Sequence, residues 1–76
     1  MSFEVRVKFP FDHDFEENDD RLRLVAGPSN YGGAGFGVRD KGYICDTQEE
    51  ARDLQERIAE AFPDWFVSMR EQPVNV

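Results

Sequence analysis

Seventy-six residues with a net charge of −7 and 39% hydrophobic content make one small domain, 1–76, whose thin core leaves little room for a deep catalytic cleft. A single cysteine excludes an internal disulfide framework, and no apolar run reaches the ~20 residues that a membrane-spanning helix needs. The acidic balance opposes simple nucleic-acid binding and favours cationic partners. Met1-Ser2-Phe3-Glu4 lacks the basic segment and apolar core of a signal peptide, so a cytoplasmic location is expected.

In chain order, Ser2–Phe9 alternates Phe3, Val5, Val7 and Phe9 with Glu4, Arg6 and Lys8, which predicts a strand with one buried face and one wet face. Pro10 stops the pairing, and residues 10–20 (PFDHDFEENDD) read as an acidic loop. Arg21–Ala26 alternates again and is read as a second strand. The competing reading is a helix over Asp14–Ala26 ended by Gly27-Pro28, which gives a βαββαβ order. Asn18, Asp19 and Asp20 are poor mid-helix residues and interrupt the apolar spacing, so the strand is preferred. Residues 27–35 (GPSNYGGAG) read as a glycine-rich loop. Phe36–Arg39 then reads as a short strand entering a turn at Arg39-Asp40-Lys41-Gly42, and Tyr43–Cys45 as another β-prone run.

Thr47–Phe62 carries the most concordant signals. Thr47 and Glu50 have capping-box spacing, and Glu49 and Glu50 suit the positive end of the helix dipole. Ala51, Leu54, Ile58, Ala61 and Phe62 form one apolar stripe, and Pro63 ends the helix. In Asp64–Glu71, Trp65, Val67 and Met69 alternate with Phe66, Ser68 and Arg70 as a final strand, parallel to the one before the helix. Pro73–Val76 is expected to be a frayed tail. The predicted fold class is α+β: a mostly antiparallel sheet of four or five strands with one amphipathic helix on one face, in the order βββ(β)αβ.

The helix segment Thr47–Val67 is similar to the last helix and strand of peptidoglycan-binding SPOR-type repeats. That similarity covers under a third of the chain in generic amphipathic residues, and no family assignment follows from it.

Charge is segregated along the chain. Asp12–Asp20 holds six acids and no Lys or Arg, Asp46–Asp64 holds seven acids against two arginines, and the remainder has three acids against seven basic residues. The expected consequence is a two-sided molecule. Its acidic side would be Asp12, Asp14, Glu16 and Glu17 of the loop with Glu49, Asp53, Glu56 and Glu60 of the helix. Its basic sheet face would display Arg6, Lys8, Arg21, Arg23 and Phe66, with Tyr31 and Phe36 contributed by the glycine-rich connection.

Catalytic and cofactor readings are weaker. His13 is the sole histidine and a distant base for Cys45, which reads as a small core hydrophobe. The acidic loop does not fit a calcium loop, because Glu17 sits where Gly is needed and Arg23 where the closing Glu is needed. Gly33-Ala34-Gly35-Phe36-Gly37 opens no helix, as a phosphate loop must. The sequence reading is therefore a non-enzymatic adaptor or inhibitor, by analogy with small phage accessory proteins, with no metal and no cofactor. Its partner would be a basic protein surface, a homodimer is a natural way to cover apolar area, and membrane binding is not expected. The alternative is a ligand or single-stranded nucleic-acid binder using the basic sheet face.

Overall fold

The computed structural model describes residues 2–72, with side chains over 2–71; the tail expected at Pro73–Val76 lies outside the described residues. The elements are β1 (Ser2–Pro10), α1 (Phe15–Ala26), β2 (Tyr31–Gly35), β3 (Val38–Cys45), α2 (Gln48–Ala61) and β4 (Phe66–Gln72). The four strands form one sheet in the order β2-β3-β1-β4, and every neighbouring pair is antiparallel. Since β3 and β4 both run antiparallel to β1, they are parallel to each other with β1 between them. This interleaving of two strand-helix-strand units is the split βαβ arrangement called ferredoxin-like, an architecture that fixes no function by itself.

The α+β class is as expected, but the element order is βαββαβ and there are two helices. Arg21–Ala26 is the C-terminal half of α1, so only the N-terminal part of the predicted acidic loop remains a loop. The cause lies in the interrupted stripe. Leu22 is buried and Phe15, Val25 and Ala26 are half-buried at helical spacing, while the gap is filled by Asp19 rather than by an apolar residue. The Asp19 carboxylate pairs with Lys41 Nζ at 3.1 Å and with Arg39 Nη2 at 3.6 Å, so ion pairs do the seating. Asp12 starts the helix: its Oδ1 accepts from the Asp14 N–H at 2.9 Å and its carbonyl from the Phe15 N–H at 3.1 Å. Gly27, at φ 76°, ends it, donating to the Arg23 carbonyl at 2.8 Å.

Two further expectations are corrected. The glycine-rich stretch is a loop only over 27–30; Tyr31–Gly35 is the exposed edge strand β2. The turn expected at Arg39–Gly42 lies in the middle of the continuous strand β3. The actual hairpin turn is the two residues Phe36 and Gly37, both with positive φ (53° and 76°), as a type I′ connection requires. α2 runs one residue inside the predicted Thr47–Phe62 at each end, with those two residues as its caps: Thr47 Oγ1 accepts from the Glu50 N–H at 3.1 Å, and the Phe62 N–H donates to the Ile58 carbonyl.

Both helices share one face of the sheet. Val5, Val7 and Phe9 of β1 and Tyr43 and Cys45 of β3 meet Leu22 of α1 and Ala51, Leu54 and Ile58 of α2. Trp65 closes one end of the core, stacked on Phe62 at 3.9 Å and on Phe9 at 4.5 Å between ring centroids.

Candidate interaction surfaces

The period-2 alternation that buries Val5, Val7 and Phe9 turns Glu4, Arg6 and Lys8 to the opposite, open face of the sheet. Register places three rows across it. Tyr31, Gly42, Arg6 and Ser68 form one row; Asp40, Lys8 and Phe66 form a second; Ile44, Glu4 and Arg70 form the third. The Tyr31 ring lies so closely over Gly42 that any Cβ at position 42 would collide with it. Its hydroxyl accepts from Arg6 Nη2 at 3.2 Å. Glu4 is only 3% exposed although it faces outward, because Arg6 and Arg70 close over its carboxylate at 3.4 and 3.3 Å. The hydrogen bond that Arg6 donates to Tyr31, together with the nearby charge of Glu4, raises the Arg6 pKa. Burial raises that of Tyr31, and the Glu4 carboxylate it donates to adds to the rise. Beside this cluster, Lys8 Nζ sits 5.8 Å from the centre of the exposed Phe66 ring, at the rim of a hollow of about 190 Å³ that also reaches Ser68 and Arg70.

Arg6, Lys8, Tyr31 and Phe66 thus share one face, as expected, but Arg21 and Arg23 do not. They project from α1 on the helical side, where the Arg21 guanidinium lies 5.2 Å from the Phe62 ring centre. Phe36 is at the hairpin tip, apart from the face. The sheet face is consequently less basic than its composition suggested: Arg6, Lys8 and Arg70 stand against Glu4 and Asp40, and the other strand cations, Arg39 and Lys41, point inward to Asp19.

The helical side is strongly acidic. Outside the strands the chain has thirteen acids against four arginines, while the strands have five basic residues against three acids. Glu49, Asp53, Glu56 and Glu60 form a stripe on α2 directly opposite Ala51, Leu54 and Ile58, and all four are exposed. Asp53 pairs with Arg57 at 3.1 Å, the acid-before-base i,i+4 order. On α1, Glu16, Glu17 and Asp20 are exposed, and Leu24, one turn beyond Asp20, is 88% exposed. Asp12 and Asp14 are exposed in the loop before α1. The structure therefore brings Glu16, Glu17, Glu49, Asp53, Glu56 and Glu60 to the helical side and leaves Asp12 and Asp14 in the loop before α1; it adds Asp20 and Leu24 to that side, which only the helical reading of 14–26 places there.

The remaining chemistry is dispersed. Cys45 is buried, and burial pushes its thiol pKa up, with Glu50 and Asp46 adding to the rise. It pairs with Phe3 at one end of β1, whereas His13 follows the other end; seven residue steps of strand put roughly 23 Å between those ends. Donor atoms of Asp12, His13 and Asp14 lie within 4.8 Å of one another, but all three residues are exposed, as solvated acidic groups ordinarily are. A hollow of about 320 Å³ lies between α2 and the 27–30 loop and includes Tyr43, Cys45, Leu54 and Arg57. Its walls are tied structurally: Asn30 Oδ1 accepts from the Ile44 N–H at 2.9 Å, and Arg57 donates to the Val25 carbonyl at 3.3 Å. No described helix is long and apolar enough to cross a membrane. Comparison with protein-family models, with curated proteins and with solved structures returns no match for this chain.

Proposed function

We propose that the protein is a small non-catalytic interaction module, of adaptor or inhibitor type, whose acidic helical side docks on a basic protein surface. The observation that carries this reading is the exposed stripe Glu49, Asp53, Glu56 and Glu60 of α2 on the same side as Glu16, Glu17 and Asp20 of α1. One face with that excess of carboxylate raises the encounter rate with a cationic surface and disfavours acidic ones. Leu24 supplies an apolar anchor within it. The test is affinity capture from the source cell with the wild type and with a Glu49→Lys, Asp53→Lys, Glu56→Lys triple variant. A partner recovered by the wild type should fall at least about tenfold with the variant, a change of roughly 1.4 kcal/mol. Equal recovery of every bound protein by both would end the proposal.

A second reading is supported by Phe66 standing exposed beside Lys8, with Arg6 and Arg70 in adjacent rows. That is the pairing of a stacking platform with cations that single-stranded nucleic-acid binders use, and the net charge of −7 works against it. A fluorescent oligothymidylate that binds at low salt and is released by Phe66→Ser would favour it. Absence of binding at low salt would exclude it.

A further inference from the structure

The β2–β3 hairpin tip combines strain with exposure. Phe36 occupies the first loop position at φ 53°, where type I′ geometry favours Asn, Asp or Gly and a bulky residue is an outlier. Its ring is fully exposed, so no burial within this chain offsets the unfavourable backbone. Phe11, also exposed, is held against the tip by its N–H, which donates to the Gly37 carbonyl at 2.9 Å. Asp12 and Asp14 follow directly and are exposed. The tip is therefore an aromatic projection with an acidic collar. The turn requires a positive φ at position 36, but nothing in the fold requires a phenylalanine there, and strained positions of this kind are often functional.

The same molecule carries a site of matching character. The hollow on the open sheet face has about 190 Å³, more than the roughly 150 Å³ that suffices for a benzene-sized ring, and its walls include Phe66 and Lys8 beside Glu4, whose carboxylate pairs with Arg6 and Arg70. An aromatic ring entering it meets the Phe66 ring and the Lys8 ammonium, and that ammonium also faces the carboxylates around the entering ring. We propose that Phe36 of one copy seats in the Lys8–Phe66 hollow of a second copy, a head-to-tail contact between two different patches. An isologous contact of two tips would set Asp12 and Asp14 against their own counterparts, and the same collar disfavours an anionic lipid surface. This inference concerns self-association and is independent of the acidic helical side.

The test is sedimentation velocity on the purified protein, from about 10 µM to about 1 mM, which spans the Kd range of a contact this small. The wild-type mean mass should rise with concentration. Phe36→Asn should stay monomeric while its thermal midpoint rises above the wild type's, since Asn accepts the positive φ. Lys8→Glu should also stay monomeric. Each variant retains one intact half of the contact, so an equimolar mixture should give a one-to-one dimer and nothing larger. A wild type that is monomeric throughout, a Phe36→Asn variant that assembles like the wild type, or a mixture that stays monomeric would each overturn the proposal.

Discussion

Asp19→Asn tests what seats α1. The Asp19 side chain is 20% exposed and faces Lys41, 12% exposed, and Arg39, 24% exposed. Removing its charge leaves two largely buried cations without their carboxylate. Breaking a buried pair costs about 3–5 kcal/mol, and residual water contact here lowers the figure to about 2–3 kcal/mol. A chain of this length has a total stability of roughly 4–11 kcal/mol, so the loss is a large share. Urea unfolding followed by fluorescence of Trp65, stacked between Phe9 and Phe62, reads it directly. With a slope near 1 kcal/mol/M, the midpoint should fall by roughly 2–3 M. Asp20→Asn, one residue on and exposed, should change stability by less than about 0.5 kcal/mol. Replacing the trio by Asp19→Leu, Arg39→Met and Lys41→Met should recover the loss, because apolar groups of similar volume avoid the desolvation cost. If Asp19→Leu alone matches the wild type, apolar packing rather than the ion pair holds the helix and the reasoning fails.

Two other outcomes follow from the geometry of β3. Gly42→Ala should displace the Tyr31 ring and destabilise by about 1–3 kcal/mol, with Tyr31→Ser restoring most of the loss; a neutral Gly42→Ala in denaturant titration would contradict the close approach. Tyr43 has its pKa pushed up to about 12 by burial, with Asp19 adding and Arg23 opposing. Since the unfolded chain ionises near pH 10 and the folded one near 12, the native state holds more protons in between. Stability is therefore complete below pH 10 and falls by about 2–3 kcal/mol as pH rises to about 12, a decline that Tyr43→Phe should remove in an alkaline unfolding series.

β1 and α2 are legible in the sequence because several local signals agree in each. Alternation and Pro10 mark the strand; Thr47, the Leu54–Ile58 stripe and Pro63 mark the helix. α1 and the β2–β3 hairpin are illegible for a common reason: their determinants are non-local. Asp19 reads as a break in a stripe until Lys41 and Arg39 are known to lie beneath it. Gly42 reads as turn punctuation, yet it is glycine in mid-strand because the Tyr31 ring crosses it. β2 has no side-chain pattern to detect, since four of its five residues are Gly or Ala and all are exposed. The acidic residues of the candidate surface could be found from composition because they lie on the outer turns of helices and in one loop. Strand periodicity puts Arg21 and Arg23 on the sheet face and helical periodicity puts them on the outer side of α1, because period 2 and period 3.6 send the same residues to different sides.

That exchange changes the electrostatic argument more than the fold. With Arg21 and Arg23 on α1 and with Arg39 and Lys41 turned inward, the open sheet face keeps a surplus of a single positive charge, three cations against Glu4 and Asp40. The molecule is acidic on one side and nearly neutral on the other, rather than bearing opposite poles. Long-range attraction can then select the helical side alone, and it is screened beyond about 8 Å at physiological ionic strength. Contacts at the sheet face must instead draw on short-range groups, such as the exposed Phe66 ring and the Lys8 ammonium beside it. A partner steered by charge and one held by the sheet face should consequently respond differently to salt: the first through its association rate, the second hardly at all.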